Sequence, residues 1–265
     1  MEYNNDKNFD GMAPRFQRNI YASLKGDIRL AVLKRDFFEH IFQLTDVEKT
    51  DSKGTKVFDA GGGQGHFALD LARYGCDIVL CDLSQDMLET AKQQVVAAGL
   101  ETNFRFINDS VQSYLVHDKQ TFDIVLCHAL LEWLENPLEV LRMLADALRP
   151  GGYLSLIYYN LDGLIYKNLL RTNFKKIRKQ QWSGFRGSLT PTHPLQRQQV
   201  NEWLITLPLT PLCESGIRVF SDYILDKSQR ERDRDGVIEM ELAFSRRDPF
   251  RYFGRYVHVL LRKQP

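Results

Sequence analysis

The chain has 265 residues, a formal net charge of +1 and a sequence pI near 7.7. A hydrophobic content of 43% is enough for a full core, and a chain of this length commonly folds as one α/β domain. Because the overall charge is close to neutral, it identifies no partner, and any charge signal must be local. The longest apolar stretches have the length of strands, so we expect no membrane-spanning helix.

The cysteines and the N-terminus indicate where the protein works. Cys76, Cys81, Cys127 and Cys213 form no C-x-x-C pair, and three of them lie in apolar or strand-like segments. This pattern favours reduced core thiols over a zinc site. The first twenty residues are polar and charged, unlike a secretory signal peptide. We therefore expect a cytoplasmic protein without a bound metal.

A loop followed by a helix is predicted before Lys53. Apolar residues recur at helical spacing from about Gly26 to Leu44. A helix placed before the first strand can cap a ligand cleft. Arg29 lies on this helix and can reach a carboxylate of a bound ligand, although it is equally well interpreted as a solvated surface arginine.

The most informative stretch reads VFDAGGGQG and ends at Gly65. A short apolar run leads to Asp59, alternate glycines follow at Gly61, Gly63 and Gly65, and apolar residues then recur at helical spacing. This order predicts a strand, a tight turn and a helix. Glycine is required where the backbone turns sharply and approaches a ligand without a Cβ atom. The pattern D-x-G-x-G-x-G differs from the G-x-G-x-x-G of pyrophosphate binders, and a plain turn is the alternative.

An acid follows the second predicted strand, which ends in Cys81. Asp82 thereby reaches the carboxyl edge of the sheet, where a carboxylate can accept hydrogen bonds from both hydroxyls of a ribose. Ser84 then provides an N-cap signal for a helix that Gly99 stops. The glycine turn and Asp82 together predict a ligand that contains a ribose.

Polar residues also follow the third predicted strand, Phe104 to Ile107. Gln112 or Asp109 can contact the edge of a base there, with Val111 packed on its ring. An ordinary loop is the alternative. The sequence therefore leaves the choice of the base-contacting side chain open.

The fourth strand is predicted over Phe122 to His128. His128 stands at its carboxyl end, where reaction sites cluster in open α/β sheets, although a packed or capping histidine is the alternative. A helix to Leu148 and a tight turn over residues 149–152 follow. The fifth strand is predicted over residues 153–159, because this run is almost continuously apolar.

The composition changes between Gly163 and Asn201, where cationic residues occur without a single acid: Lys167, Arg171, Lys175, Lys176, Arg178, Lys179, Arg186 and Arg197. We call the stretch from Lys167 to Arg197 the basic segment. Phe174, Trp182 and Phe185 are interleaved with its charges. Because basic residues contact phosphates and aromatic rings stack on unpaired bases, this combination suits RNA. A solvated surface face is the alternative.

The remaining segments complete the predicted sheet. We predict a helix from Gln198 to Leu204, a loop around residues 208–211, a sixth strand from Ser215, a helix ending at Phe244 and a last strand over residues 255–262. The result is an α/β fold with a seven-stranded, mostly parallel sheet and helices on both faces. One domain is expected, divided into an N-terminal helical cap (1–52), a ligand-binding core (53–160), a basic insert (161–214) and C-terminal strands (215–265).

Several strings along the chain look familiar together. They are NFD…F…RNIY…KG…R, DAGGGQG, LCDLS, HALLEW, LRPGG…LS…YN, GIRVFSDY and GRYVHV, in this order. The glycine turn with Asp82 resembles the S-adenosylmethionine site of a class I, Rossmann-like methyltransferase. All strings together resemble the bacterial tRNA 5-carboxymethoxyuridine methyltransferase family, and the resemblance covers nearly the entire chain. It implies methyl transfer from S-adenosylmethionine to the carboxylate of 5-carboxymethoxyuridine at the wobble position of tRNA, which gives the methyl ester and S-adenosylhomocysteine.

The resemblance also implies roles for individual residues. The cofactor-binding positions carried over from the matching strings are Arg29 (the methionine carboxylate or nearby), Gly61 and Gly62 (the glycine turn), Asp82 (ribose), Val111 and Gln112 (adenine), and His128. The basic segment is expected to bind the tRNA. A carboxylate acceptor is already ionised at neutral pH, so no general base is required. The candidates for orienting it are Arg18, Tyr158, Tyr159, Asn160 and Arg171.

Two other interpretations stay open at this point. The first is a methyltransferase of the same fold that acts on a small-molecule acid or a quinone-type ring. The second is a non-catalytic RNA-binding protein that retains the cofactor. An NAD-dependent dehydrogenase is disfavoured, because the glycine spacing is G-x-G-x-G and no Tyr-x-x-x-Lys proton relay is apparent.

Overall fold

The computed structural model describes residues 6–18, 23–42, 54–182, 189–191, 193–226 and 228–265. Within these ranges one sheet contains the strands β1 (Lys56–Ala60), β2 (Asp77–Asp82), β3 (Phe104–Asn108), β4 (Phe122–His128), β5 (Leu148–Tyr159), β6 (Leu209–Ile217) and β7 (Tyr256–Lys263). The α-helices are α1 (Ala13–Phe16), α2 (Leu24–His40), α3 (His66–Arg73), α4 (Gln85–Ala98), α5 (Val111–His117), α6 (Pro137–Ala147), α7 (Leu161–Leu170), α8 (Phe174–Arg178), α9 (Arg197–Leu204), α10 (Ser228–Arg232) and α11 (Arg234–Phe244).

The strand order in the sheet is β3-β2-β1-β4-β5-β7-β6. The strands β1 to β5 pair in parallel, whereas β7 runs antiparallel to both β5 and β6. The predicted seven-stranded, mostly parallel sheet is therefore confirmed. The order reverses between β1 and β4, and open α/β sheets bind their ligands at such a point, beyond the carboxyl ends of the strands.

Two hydrophobic cores cover the two faces of the sheet. The helices α2, α3, α4 and α11 pack on one face, and α5, α6 and α9 pack on the other. Strand β4 lies in the middle and is buried along almost its whole length. A parallel strand that is covered on both faces is apolar along its buried part. This explains why Ile124 to Cys127 of β4 show no alternation of polar and apolar residues.

The predicted signals at the ends of α4 are confirmed. The Oγ of Ser84 accepts a hydrogen bond from the backbone N–H of Met87 at 3.3 Å, and Gly99 takes a left-handed conformation with φ of 68°. These contacts end the helix at both sides. The helix therefore begins at Gln85, three residues after Asp82, and fixes the short connection that follows this acid.

Two predicted features near the ends of strands are wrong. Strand β6 begins at Leu209, so the loop expected around residues 208–211 belongs largely to the strand. Because β6 is an edge strand, it tolerates Pro211, next to which its pairing with β7 is irregular. Strand β5 begins at Leu148, before the expected turn, and Gly151 with φ of 75° lies inside it.

No helix within the described ranges combines the length and the apolar character that a membrane crossing requires.

Candidate cofactor and acceptor site

A cavity opens at the carboxyl edge of the sheet, beyond the ends of β1 and β4. Residues that follow β1, β2, β3 and β4 line this first cavity, and N-terminal residues between 6 and 30 cover it from the opposite side. All predicted cofactor-binding residues line it: Arg29, Gly61, Gly62, Asp82, Val111, Gln112 and His128. The structure thus brings together side chains that are up to 99 positions apart in the sequence.

The glycine turn is fixed to the next strand by hydrogen bonds. The backbone N–H groups of Gly61 and Gly62 donate to the carbonyl of Cys81 at 2.9 and 3.2 Å. A Cβ atom on Gly62 would lie 2.6 Å from the carboxylate of Asp59, so no side chain fits there. Gly61 has φ of 64°, a conformation that side chains rarely adopt. The turn therefore requires glycine at both positions.

Asp82 is held by backbone amides on both of its oxygens. Oδ2 accepts a hydrogen bond from the N–H of Gly63 and Oδ1 accepts one from Ser84, each at 2.8 Å. Burial raises the pKa of Asp82, while these two bonds oppose the shift. Because a carboxylate oxygen accepts two hydrogen bonds, each oxygen keeps capacity for one more donor, as two ribose hydroxyls would require.

Asp59 is a functional candidate to which the sequence analysis gave no role. It is 4% exposed and lines the first cavity, and its carboxylate forms no hydrogen bond within the described part of the chain. Burial raises its pKa to about 7, Arg29 opposes this shift and Asp82 adds to it. A buried carboxylate that lacks a hydrogen-bond partner suits a cationic ligand group. Its position at the end of a strand, before a glycine turn, was the available signal.

The far end of the first cavity is built around α5. Val111 and Gln112 are the first residues of this helix and are almost fully buried. The side-chain amide of Gln112 donates to Asp6 at 2.7 Å, and the rings of Phe9 and Trp133 meet edge to face at 4.9 Å. An apolar surface with polar groups at its rim is the environment that a purine ring needs.

His128 is the first member of a buried hydrogen-bond chain. Its Nε2 lies 2.7 Å from the Oγ of Ser155, which lies 3.0 Å from Nε2 of His258, and Nδ1 of His258 lies 2.7 Å from Asp36. Burial lowers the pKa of His128 well below its ordinary value, with a contribution from Arg29. The imidazole on the cavity wall is therefore neutral at physiological pH.

A second cavity adjoins the first. Arg29, Leu189 and Tyr256 line both of them and mark the junction. Among the described residues, nine cationic side chains and one carboxylate line the second cavity: Arg15, Lys25, Arg29, Lys167, Arg171, Lys176, Arg218, Arg230, Arg255 and Asp222. These cations come from α1, α2, α7, α8, the ends of β6 and β7, and α10. The chain itself carries a net charge of only +1, so this cavity concentrates positive charge.

The candidates for orienting the acceptor lie in three different environments. Tyr159 and Arg171 line the second cavity. Tyr158 is fully buried in the core on the other face of the sheet, because successive residues of β5 point to opposite faces. Asn160 is 1% exposed, and its amide donates to two backbone carbonyls, as a structural residue does. Arg18 is exposed and lines neither cavity. Of the five candidates, Tyr159 and Arg171 therefore line a cavity, whereas Arg18, Tyr158 and Asn160 do not, and the acceptor-orienting role stays a prediction.

The basic segment divides between the second cavity and the surface. Lys167, Arg171 and Lys176 line the cavity, and the ring of Phe174 is 45% exposed beside them. Arg197 instead pairs with Glu214 at 2.8 Å. Phe185 and Arg186 lie outside the described residues, whereas Trp182 packs partly against the hydrophobic cluster at the start of α7.

Within the described ranges, no group of three or more His, Cys, Asp or Glu side chains is placed to hold a metal ion.

Known proteins match both the sequence and the fold. The family described as "Methyltransferase domain" matches residues 58–156. The chain is 25% identical over 217 residues to the ubiquinone biosynthesis O-methyltransferase of Vibrio vulnificus (strain YJ016), covering 81% of this chain and 84% of that one. It is 36% identical over 258 residues to the tRNA 5-carboxymethoxyuridine methyltransferase of Escherichia coli (strain K12), covering 97% of each.

Solved structures of low sequence identity share the fold. Magnesium protoporphyrin IX methyltransferase from Synechocystis PCC 6803, with bound SAH, has a TM-score of 0.60 at 17% identity and covers 97% of this chain and 96% of its own. The [4+2]-cyclase SpnF has a TM-score of 0.55 at 18% identity, covering 91% and 82%. Because a cyclase is among them, the fold by itself does not identify the reaction. The full-length identity of 36% confirms the resemblance drawn from the motifs, and this protein belongs to the tRNA 5-carboxymethoxyuridine methyltransferase family.

Proposed function

We propose that this protein transfers the methyl group of S-adenosylmethionine to the carboxylate of 5-carboxymethoxyuridine at the wobble position of tRNA, in the cytoplasm. The products are the methyl ester and S-adenosylhomocysteine. The observation that carries the proposal is the junction at Arg29 between a cavity suited to a nucleoside and a strongly cationic cavity. A methyl donor in the first cavity would face an anionic acceptor in the second.

The residues of the first cavity fit S-adenosylmethionine. Asp82 would hold the ribose hydroxyls, and Val111 with Gln112 would surround the adenine. The glycine turn at Gly61 and Gly62 would lie against the methionine portion, whose carboxylate Arg29 would bind. Asp59 adds a buried carboxylate for the positive charge of the ligand, and its lack of a hydrogen-bond partner supports this role.

The second cavity fits the acceptor and its RNA. The cations at the junction suit a carboxylate, and α8 carries the exposed Phe174 and Lys175 beside the half-buried Lys176. Lysine and arginine contact phosphates without regard to sequence, while an exposed ring can stack on an unpaired base. We therefore propose that the nucleotides beside the wobble position lie along α8.

The chain supplies alignment rather than acid–base chemistry. When bound, S-adenosylmethionine provides a methyl group on a positively charged sulfur. One C–O bond forms as one C–S bond breaks, and the opposite charges of the acceptor and the donor disappear together, with no proton released. Since the acceptor is already ionised, no side chain has to remove a proton. Holding the reacting groups in line and excluding water contributes on the order of 7–11 kcal/mol in well-aligned systems.

The charge of the second cavity argues against a quinone-type acceptor. A neutral ring gains little from nine cations, and the cost of removing them from water would remain. A non-catalytic RNA-binding protein would bind both ligands without turnover. One assay distinguishes the three possibilities. S-adenosylmethionine that is isotopically labelled in its methyl group is incubated with the protein and with one of two acceptors. The acceptors are tRNA carrying 5-carboxymethoxyuridine and a phenolic quinone precursor. We expect label in the tRNA alone, and we expect mild alkali to release it, because esters hydrolyse whereas methyl ethers do not.

A further inference from the structure

The second cavity contains a cluster of cations that share one carboxylate. We propose that this cluster, Arg218, Lys167 and Arg255 around Asp222, is the binding subsite for the acceptor carboxylate. This inference rests on the proposed function and adds the residues that read the acceptor. It also assigns to the cavity a selectivity for the acid over its methyl ester.

The cluster has more positive than negative charge. Oδ2 of Asp222 lies 2.8 Å from Nη2 of Arg255 and 3.2 Å from Nζ of Lys167, and Oδ1 lies 3.5 Å from Nη1 of Arg218. The side chains of the two arginines are 4% and 11% exposed. Partly desolvated cations are costly unless anions compensate them, and within the described chain Asp222 is the only carboxylate that lines this cavity. A second carboxylate, brought by the substrate, would reduce the excess of these three cations over Asp222 from two positive charges to one.

Two further observations support an anion at this place. Burial lowers the pKa of Lys167 to about 8, although Asp222 opposes this shift, so one acid does not fully compensate the cluster. Arg218 has φ of 61°, a backbone conformation that a long side chain rarely adopts. Such conformations concentrate at ligand-binding and catalytic sites.

The position of the cluster favours a carboxylate over a phosphate. The guanidinium carbon of Arg218 lies 5.5 Å from the ring centre of Tyr256, which lines both cavities. Arg218 therefore stands beside the junction through which a methyl donor in the first cavity would be reached. The substrate group that receives the methyl group has to lie at this junction. In the proposed reaction, that group is the carboxylate.

A cationic subsite has a consequence for the product. Methyl transfer converts the carboxylate into a neutral ester, so the attraction to Arg218 and Lys167 is lost when the reaction is complete. The same cations that bind the acid therefore favour release of the ester and disfavour its return. A tRNA with the free acid and a tRNA with its methyl ester differ by one charge and one methyl group. The ratio of their affinities for the protein therefore measures the contribution of the cluster directly.

The test measures dissociation constants of two tRNAs for the protein saturated with S-adenosylhomocysteine. One tRNA carries 5-carboxymethoxyuridine and the other carries its methyl ester. We expect the wild-type protein to bind the acid at least about tenfold more tightly, since hydrogen bonds to charged groups contribute that much. Arg218→Gln and, separately, Lys167→Gln should reduce this ratio severalfold. Arg218→Lys should preserve most of it, and Arg142→Gln, an exposed change on α6, should leave it unaltered.

The outcomes separate the subsite from the proposed function. Calorimetric binding of S-adenosylhomocysteine shows whether each variant is folded, and if Arg218→Gln fails this check, Lys167→Gln decides. If a folded variant binds the acid tRNA and the ester tRNA more weakly by the same factor, the cluster binds a phosphate. If a folded variant binds both tRNAs as the wild-type protein does, the cluster does not contact the tRNA. Either result would overturn the inference. If the wild-type protein transfers no methyl group to the acid tRNA, the proposed function itself fails, whatever the ratio.

Discussion

His128 and Ser155 are joined by a contact of 2.7 Å between Nε2 and Oγ, which connects the first cavity, along one face of the sheet, to the buried acid Asp36 on α2. Asp36 ends this chain at Nδ1 of His258 and also accepts hydrogen bonds from Arg35 and Arg246. The Nε2 atoms of His128 and His258 both face the hydroxyl group of Ser155. Because a hydroxyl group has one proton to donate, at least one of the two rings donates to Ser155.

Removal of the hydroxyl group of Ser155 tests this chain. Ser155→Ala leaves ring nitrogens of two buried or half-buried histidines without a partner, which costs about 1–3 kcal/mol in the free energy of unfolding. Denaturant titration measures this loss, and Thr206→Val, which removes an exposed hydroxyl bonded to a nearby carbonyl, should cost less than about 0.5 kcal/mol. Equal stability of Ser155→Ala and the wild-type protein would show that the chain contributes nothing to the fold.

Replacement of Asp82 should weaken the cofactor site. Asp82→Ala removes the proposed acceptor for the ribose hydroxyls and should reduce affinity for S-adenosylhomocysteine by roughly 1–3 kcal/mol in calorimetry. Asp77→Ala is the matched control, because this exposed acid lies at the opposite end of the same strand. An unchanged affinity in folded Asp82→Ala would remove Asp82 from the site.

The affinity for S-adenosylmethionine should depend on pH through Asp59. Because burial raises the pKa of Asp59 to about 7, its carboxyl group is largely neutral at pH 6 and gains negative charge as the pH rises. Binding of the cationic cofactor should therefore strengthen between pH 6 and 7.5. Calorimetry over this range should show no such rise for Asp59→Asn. A wild-type affinity that is flat over the same interval would contradict a role of this carboxylate toward the positive charge.

Charge reversal on α8 should weaken tRNA binding. Lys175→Glu combined with Lys176→Glu should lower the affinity and reduce the slope of log affinity against log salt by about one for each lost phosphate contact. Filter binding at several salt concentrations measures this slope. Arg142→Glu reverses one charge on α6, away from both cavities, and should leave the slope unaltered. If the double variant keeps the wild-type slope, α8 is only a solvated face.

Features encoded by neighbouring residues could be predicted from the sequence. The glycine turn, Asp82 and the caps of α4 follow from local backbone requirements, so a few consecutive residues carry the signal. The start of β6 was missed, because prolines are typical of loops and only the sheet order reveals that β6 is an edge strand. Tyr158 and Tyr159 are adjacent, and the sequence did not show which one points toward the ligand side.

The cationic cluster could not be predicted as a unit. Lys167, Arg218 and Arg255 come from α7 and from the ends of β6 and β7, and only the antiparallel insertion of β7 brings them to Asp222. In the sequence, Arg218 and Arg255 stand among ordinary strand residues. The basic segment alone was recognised, because its cationic residues lie in one stretch of sequence without an acid, yet it supplies only part of the second cavity.

The most direct measurement is mass spectrometry of wobble nucleosides in tRNA from cells with and without this protein. With the protein present, we predict that 5-carboxymethoxyuridine is converted into its methyl ester. In its absence the free acid should accumulate, and re-expression should restore the ester. Identical nucleoside profiles in both strains, with the ester present in each or in neither, would contradict the account.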